Sequence, residues 1–447
     1  SAVSEWHLNG PLIIGDGASS PLLTIEPGVE IFGGENGSSF DYIYVSPGAS
    51  ITAIGTIIDP IVLSSDDEDY DGGGQWGGLI VEDTSATFGQ VRLEYLIVTE
   101  AGAEVTVGNK TYADNIVLDG VHDDTFIQYI QSHDSARDGI RLQSSEDTAN
   151  QARLSWLLIT GASRDALSYN NFSGLVKDML VIHRPEFYDG VSGGRAGIYA
   201  SNGNSLPLFV NVTLAGSDTT SKNSISANNR EFGILFADNS SQIRIANTII
   251  LNFRNGCYEV DETSNLSAMS LGNTDITQGF MGGVHCGHER SGLVDNIFVP
   301  FVVRDGGINL PALVLDEGIH FHGNTAFNFE GEVNPNGTVT SLWYLNSIGE
   351  GLNDVAENDS GTLRAFVDGD TNNDGVITDA DKDFQPLLNN ADDFFGGVTG
   401  LSVPSQGYDL TILGASRNSS KEFANEFDAW TLQTAGVFPD KVEGFEP

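Results

Sequence analysis

The chain has 447 residues, 62 acidic and 20 basic, for a formal net charge of −42. That balance speaks against nucleic-acid binding, which needs clusters of Lys and Arg to neutralise phosphates, and the sequence has none. With 40% hydrophobic and 18% charged residues the composition is that of a folded chain rather than a disordered acidic tail, and no run approaches the ~18 apolar residues of a transmembrane segment. The chain opens at Ser1 without an initiator Met, a basic stretch or an apolar leader, which fits a mature secreted protein with its leader removed, as it would any other internal starting point.

Taken in order, the first predicted strands are 22–25 and 29–32 around Glu26-Pro27-Gly28, then 42–45 and 50–53 around Ser46-Pro47-Gly48-Ala49. The two Pro-Gly turns, 20 residues apart, suggest equivalent positions in successive copies of one unit. An acidic run follows, with Asp66, Asp67, Glu68, Asp69 and Asp71, and leads through glycines into Gln75-Trp76-Gly77-Gly78-Leu79-Ile80. The run offers oxygen ligands to calcium, though a charge run is more often a solvated loop.

From there a short pattern recurs: Asp138-Gly139-Ile140, Asp165-Ala166-Leu167, Ala196-Gly197-Ile198, Phe232-Gly233-Ile234 and Asn255-Gly256-Cys257. Between the copies lie longer strands at 126–131, 153–159, 176–182, 209–214 and 245–251, with Asn211 and Asn247 in matching places. A unit of two or three short strands cannot bury its apolar side alone and must stack on its copies. With no helical period in residues 1–300, the expected architecture is an all-β parallel β-helix solenoid, residues 1–305, its uneven repeat lengths absorbed by loops at the corners. Residues 306–447 are expected to form a C-terminal cap or small calcium-binding region, with a helical stretch near 379–388.

Several of these residues also resemble a known group. Leu23 to Ile31 around the first Pro-Gly turn, Ile61-Val62-Leu63-Ser64-Ser65, the Gln75-Trp76-Gly77-Gly78-Leu79 run, Val91-Arg92-Leu93-Glu94-Tyr95 and the Asp-Gly-Ile copies are similar to secreted right-handed β-helix proteins of Gram-negative bacteria, many of them marine. The resemblance spans roughly residues 15–260 and implies a right-handed coil and an exported, surface-layer-like protein.

The sharpest chemical motif runs from 370 to 381, inside an acidic loop at 366–383. Asp370, Asn372, Asp374, Thr378 and Asp381 supply side-chain oxygens, Val376 a backbone carbonyl, and Gly375 the sharp turn, which is the spacing of a calcium loop. Asp in place of Glu at the last position resembles dockerin loops, although only one copy is present. Cys257 and Cys286 form a candidate disulfide, which an oxidising compartment would favour. The pairs His285/His288 and His320/His322 do not complete a zinc set.

For catalysis the sequence gives little. Asp123-Asp124 has neither the Gly-His-Gly nor the Arg-x-Lys that polygalacturonase-like coils carry, and six lysines form no subsite for a polyanion. Arg137, Arg141, Arg153 and Arg164 are the best basic stripe and read most simply as partners of neighbouring Asp. No catalytic residue is identified. The leading expectation is therefore a calcium-dependent structural protein whose partner is itself, in a surface layer or matrix array, with contact to cell-surface polysaccharide. The alternatives are a carbohydrate-active β-helix, lyase or glycoside hydrolase, or a carbohydrate-binding adhesin.

Overall fold

The structure, a computed structural model, describes residues 4–328 apart from 18, 67–71, 85–88, 146–148, 184–194, 202–204, 217–230, 238–242, 252, 254–255, 261–279, 289–300, 306–307, 312–319 and 323–324; beyond Phe253 the description is of backbone alone. All the described regular structure is β. Two large sheets of parallel strands wind around one interior, and the connections make a right-handed coil, the hand that parallel crossovers strongly prefer. This is a right-handed parallel β-helix: the repeats require the coil, and the resemblance implied its hand.

The second sheet is built from three- to six-residue strands, Leu12–Ile14, Ile43–Val45, Leu79–Glu82, Ile116–Asp119, Ile140–Gln143, Leu167–Asn170, Arg195–Ala200 and Glu231–Phe236 among them. Its register stacks Ile43, Leu79, Ile116, Ile140, Leu167, Ile198 and Ile234 in one inward column, all buried. Period-two alternation puts one side chain in, the next out. Each large side chain buried in such a column contributes about 1.5–3 kcal/mol, and no single rung could collect that without its neighbours.

The first sheet bends. Its long strands, Val91–Thr99, Phe126–His133, Arg153–Thr160, Leu175–Ile182 and Leu208–Ala215, keep their register but each skip one pairing at a central residue with positive φ: Tyr95 (48°), Tyr129 (55°), Trp156 (57°), Asp178 (54°) and Asn211 (57°). One left-handed residue per rung turns the ribbon without adding a loop, and the coil acquires three faces. Near the N-terminus the same two halves are separate strands: Ser50–Ile54 pairs with the first half of Val91–Thr99, and Ile61–Ser65 with the second. Tyr95, Tyr129 and Trp156 stack ring on ring along this corner, with centroids 4.5 and 5.8 Å apart.

The structure revises two sequence readings. Ile14 pairs with Val45 and Leu22 with Ser50, so Pro47-Gly48 turns the corner between the sheets, whereas Pro27-Gly28 turns the corner between the two halves of the first sheet. The two turns are not equivalent; identical turn chemistry suits any corner needing a positive φ, here Gly28 at 73° and Gly48 at 81°. The last repeat also enters one residue late, with Ile234 opposite Tyr258 rather than Cys257. Asn211 and Asn247 do share a register position, as their spacing suggested.

Trp76 explains the Gln-Trp-Gly-Gly run. It is fully buried, donates its indole N–H to the Thr99 carbonyl at 2.8 Å, and lies against Gly33, where a Cβ would sit 3.0 Å from the ring. Gly78, at φ 88°, passes so close to the Asn115 carbonyl that a Cβ would stand 2.5 Å from it. The motif therefore plugs the coil. Parallel pairing continues past Asp305, with His320–His322 and Thr325–Asn328 both on Phe280–His288.

Candidate functional site

The outer surface of the second sheet changes character along the coil. One outward column reads Tyr44, Ile80, Val117, Arg141, Ser168, and the next Glu82, Asp119, Gln143, Asn170. Over the first rungs two antiparallel hairpins, Glu35–Asn36 with Ser39–Phe40 and Val105–Val107 with Lys110–Tyr112, lie on this surface, packing Phe40, Val105, Val107 and Tyr112 onto Tyr42, Tyr44, Ile80 and Val117. The sequence reading missed both hairpins, although Gly37 and Gly108, each with positive φ, mark their tips.

At the rim of this roof Lys110 Nζ meets Glu82 Oε1 at 2.6 Å and Asp119 Oδ2 at 3.1 Å. Tyr44 donates to Glu82 Oε2 at 2.8 Å, and Gln143 and Ser145 donate to Asp119 Oδ2 at 3.0 and 2.8 Å. Burial would lower the Lys110 pKa, but bonds to Glu82 and Asp119 outweigh it and hold the ammonium charged. Burial and Glu82 push Tyr44 up. Lys110 and Tyr44 are thereby held in their protonated forms and are poor proton carriers.

Beyond the roof three carboxylates from consecutive rungs, Asp114, Asp138 and Asp165, lie buried in a row at the entry to the sheet, bridged by two arginines. Asp138 is the hub. Arg164 grips it with Nε to Oδ1 and Nη2 to Oδ2, both at 2.6 Å, while Ser168 donates at 2.6 Å and Arg141 Nη2 at 3.3 Å. Arg141 Nε stands 3.0 Å from Asp114 Oδ2, and Arg164 Nε 3.3 Å from Asp165 Oδ2. The backbone N–H of Ala196 caps Asp165 Oδ1 at 2.9 Å.

The row splits the three carboxyls electrostatically. Burial alone would raise Asp138, but Arg164 and then Arg141 override it and hold the group at about 2. Burial, reinforced by the Asp138 charge, pushes Asp114 up to about 6 and Asp165 well above its ordinary value. Three carboxylates against two guanidiniums leave one negative charge in excess, and one proton cancels it. An ionised carboxylate beside proton-holding ones is the set that acid–base chemistry uses. All three nevertheless lie at 2% exposure or less, beneath the arginines, whose side chains are about a fifth exposed. Each guanidinium spends Nε and Nη2 on carboxylates, so among the described residues Nη1 of Arg141 and of Arg164 has no partner.

The other predicted sites fare differently. Arg141 and Arg164 do pair with Asp, whereas Arg153 stands on the first sheet and is not part of this group. Of the acidic run only Asp66 is described, its N–H bonded to Gly33 O at 2.9 Å; 67–71 lie outside the described residues, as do the calcium loop at 370–381, the region 329–447 and the helical stretch near 379–388. Cys257 belongs to a strand of the second sheet and Cys286 to one of the first, and their side chains are outside the description. The carboxylate row was missed as a site, although Asp138 and Asp165 open two copies of the repeat and so had to stack.

Residues 1–88 match the family described as a pectate-lyase like beta helix domain. No curated protein matches the chain. A solved structure, the crystal structure of the Agl-KA catalytic domain, is similar over 73% of this chain, at 11% identity and a TM-score of 0.33; this chain spans 62% of that one. A likeness of that size carries no argument about a site.

Proposed function

We propose that this β-helix is a carbohydrate-active protein that engages a neutral polysaccharide across the outer surface of its second sheet, beyond the hairpin roof. The observation that carries the reading is the pair of partly exposed guanidiniums, Arg141 and Arg164, clamped on a buried carboxylate row with Nη1 of each left over. A guanidinium fixed in this way is a preorganised donor for sugar hydroxyls, and little entropy is lost when it binds. The row carries no net positive charge, and the chain carries −42, so a polyuronate would be repelled where a neutral glycan is not. The match of residues 1–88 to a pectate-lyase like coil supports a carbohydrate ligand in kind.

The reading of a calcium-dependent, exported, self-assembling array draws instead on the net charge and on the loop at 370–381. The polysaccharide reading is preferred because its residues are placed by described geometry.

Affinity electrophoresis through gels cast with neutral glucans, mannans and xylans, beside polygalacturonate and alginate, tests it, with reducing-end release measured in parallel. Retardation by a neutral polymer is expected, lost in the Arg141→Lys and Arg164→Lys variants, which keep the charge but not the fork. Equal retardation of wild type and both variants, or retardation by the uronates alone, would sink the proposal.

A further inference from the structure

A second polar group lies at the corner where the second sheet hands the chain to the first. The strand Leu79–Glu82 runs into Asp83, whose N–H donates to the Asp119 carbonyl at 2.7 Å, so the 120–125 loop of the following rung passes directly beside it. Gly120 keeps that approach open, since a Cβ there would collide with the Asp83 carbonyl. Asp83 is only 3% exposed. Its Oδ1 accepts the N–H groups of Gly89 at 2.8 Å and Gly48 at 3.3 Å. Among the described residues nothing donates to Oδ2, which is shut off from solvent. A buried carboxylate oxygen left in that state is costly unless a proton, a water or a cation meets it.

In the adjoining loop His122, Asp123 and Asp124 each bring one ligand atom to within 4.8 Å of the others. His122 Nδ1 stands 2.6 Å from Asp123 Oδ1, and burial pushes the neighbouring Asp83 carboxyl up to about 6 against the opposing N–H groups of Gly89 and Gly48 and then His122. The loop thus gathers one nitrogen and two oxygen ligands at a partly exposed spot, with a buried, incompletely satisfied anion behind them.

We propose that His122, Asp123 and Asp124 bind a divalent transition-metal ion such as Zn²⁺, with Asp83 as the supporting anion beneath it. An imidazole with two carboxylates is a zinc-type donor set, whereas calcium takes six to eight oxygens and has little use for nitrogen. A tetrahedral zinc holds its ligand atoms about 3.4 Å apart, so the ion enters by opening the His122–Asp123 contact by about 0.8 Å, a side-chain movement within an exposed loop. Two carboxylates cancel the ion's charge, and water completes the shell on the side of Asp124, which is exposed. The site stands apart from the Asp114–Asp138–Asp165 row, which lies at the entry to the second sheet rather than at its exit.

Isothermal titration of Zn²⁺ into the chelator-stripped full chain, in excess Ca²⁺ to fill oxygen-only sites, tests the proposal against an Asp123→Asn/Asp124→Asn variant. Wild type is expected to bind one more Zn²⁺ than the variant at unchanged circular dichroism. Any zinc held by His285, His288, His320 or His322 appears in both proteins and cancels. Equal stoichiometry and affinity would overturn it. With Co²⁺ as the probe, the visible absorption of a nitrogen- and oxygen-ligated ion should weaken in His122→Ala, and an unaltered spectrum would count against the site. Asp83→Asn should weaken zinc binding about 10-fold or more, as loss of a supporting group does; unchanged affinity would remove Asp83 from it.

Discussion

Along the outer surface of the second sheet the same strand position holds Val117 in one rung, Arg141 in the next and Ser168 after that. Val117 is roofed by the 105–112 hairpin and sits among Tyr42, Tyr44, Ile80 and Tyr112; Arg141, where the roof has ended, lies on carboxylates. The sheet does not dictate the side chain at that position; what covers it does. A roofed position must be apolar because water cannot reach it. An unroofed one can hold a guanidinium at low exposure only if buried anions are already in place. The difference is sharpest at Asp138. Asp138→Ala removes the hub and leaves two guanidiniums and their neighbours mismatched, for an expected loss of about 3–5 kcal/mol, readable as a shift of the urea midpoint. Val117→Ala should cost less, about 0.5–1.5 kcal/mol on the scale of a modest apolar truncation. If the two losses were alike, the row would be an ordinary surface ion-pair set.

pH separates the middle of the coil from the later rungs. His183 is buried, and burial, with Arg195 next, lowers it to about 4 in spite of Glu231 3.5 Å away. A base depressed on folding contributes stability that is complete above its unfolded value near 6.5 and is lost as pH falls through 4, up to about 3 kcal/mol. His183→Gln should flatten that acid limb in urea titrations between pH 7 and 4; an unchanged slope would mean that the imidazole is protonated in the fold. Asp114 acts in the opposite sense. Raised to about 6, it contributes stability that is present below its unfolded value near 3.8 and lost as pH rises through 6. Asp114→Asn should therefore gain on the wild type by up to about 3 kcal/mol between pH 4 and 8, and the absence of any such gain would show that the row carries no proton to release.

The sequence disclosed the coil where one residue type recurs at one spacing. Ile140, Leu167, Ile198 and Ile234 were legible because an inward column needs apolar side chains at every rung, and Asn211 because Asn tolerates the left-handed bend and a second Asn, Asn247, stands at the matching place in the next rung. The same bend at Tyr95, Tyr129 and Trp156 was hidden, since bulky residues in that conformation follow from rung pairing and ring stacking, which no local window contains. The turns at Pro27-Gly28 and Pro47-Gly48 were recognised as turns but given one corner instead of two, because turn chemistry records a dihedral and not a place in the coil. Arg141 and Arg164 were singled out. Their partners at Asp114, Asp138 and Asp165 became a site only once stacking brought residues some 25 positions apart into contact.

The bend ladder offers the smallest and cleanest test. Tyr129 has φ 55° and lies between Tyr95 and Trp156 in the stack, so it bears the cost of the left-handed conformation and gains ring contacts on both sides. Truncation to Ala removes the rings' contribution, about 0.5–1.5 kcal/mol per pair beyond buried area, and keeps the backbone cost. Truncation to Gly removes both, since Gly adopts positive φ freely, although it also adds entropy to the unfolded chain. Tyr129→Gly should therefore be more stable than Tyr129→Ala by up to about 1 kcal/mol, the reverse of the order in an ordinary strand. At Ile130, one residue along and in extended register with Leu96 and Leu157, the order should return to normal, with Ala above Gly by about 0.5–1 kcal/mol. If Ala led Gly at both positions, the three-faced coil would not turn at Tyr129, and the stacked rings would have to be explained without the bend.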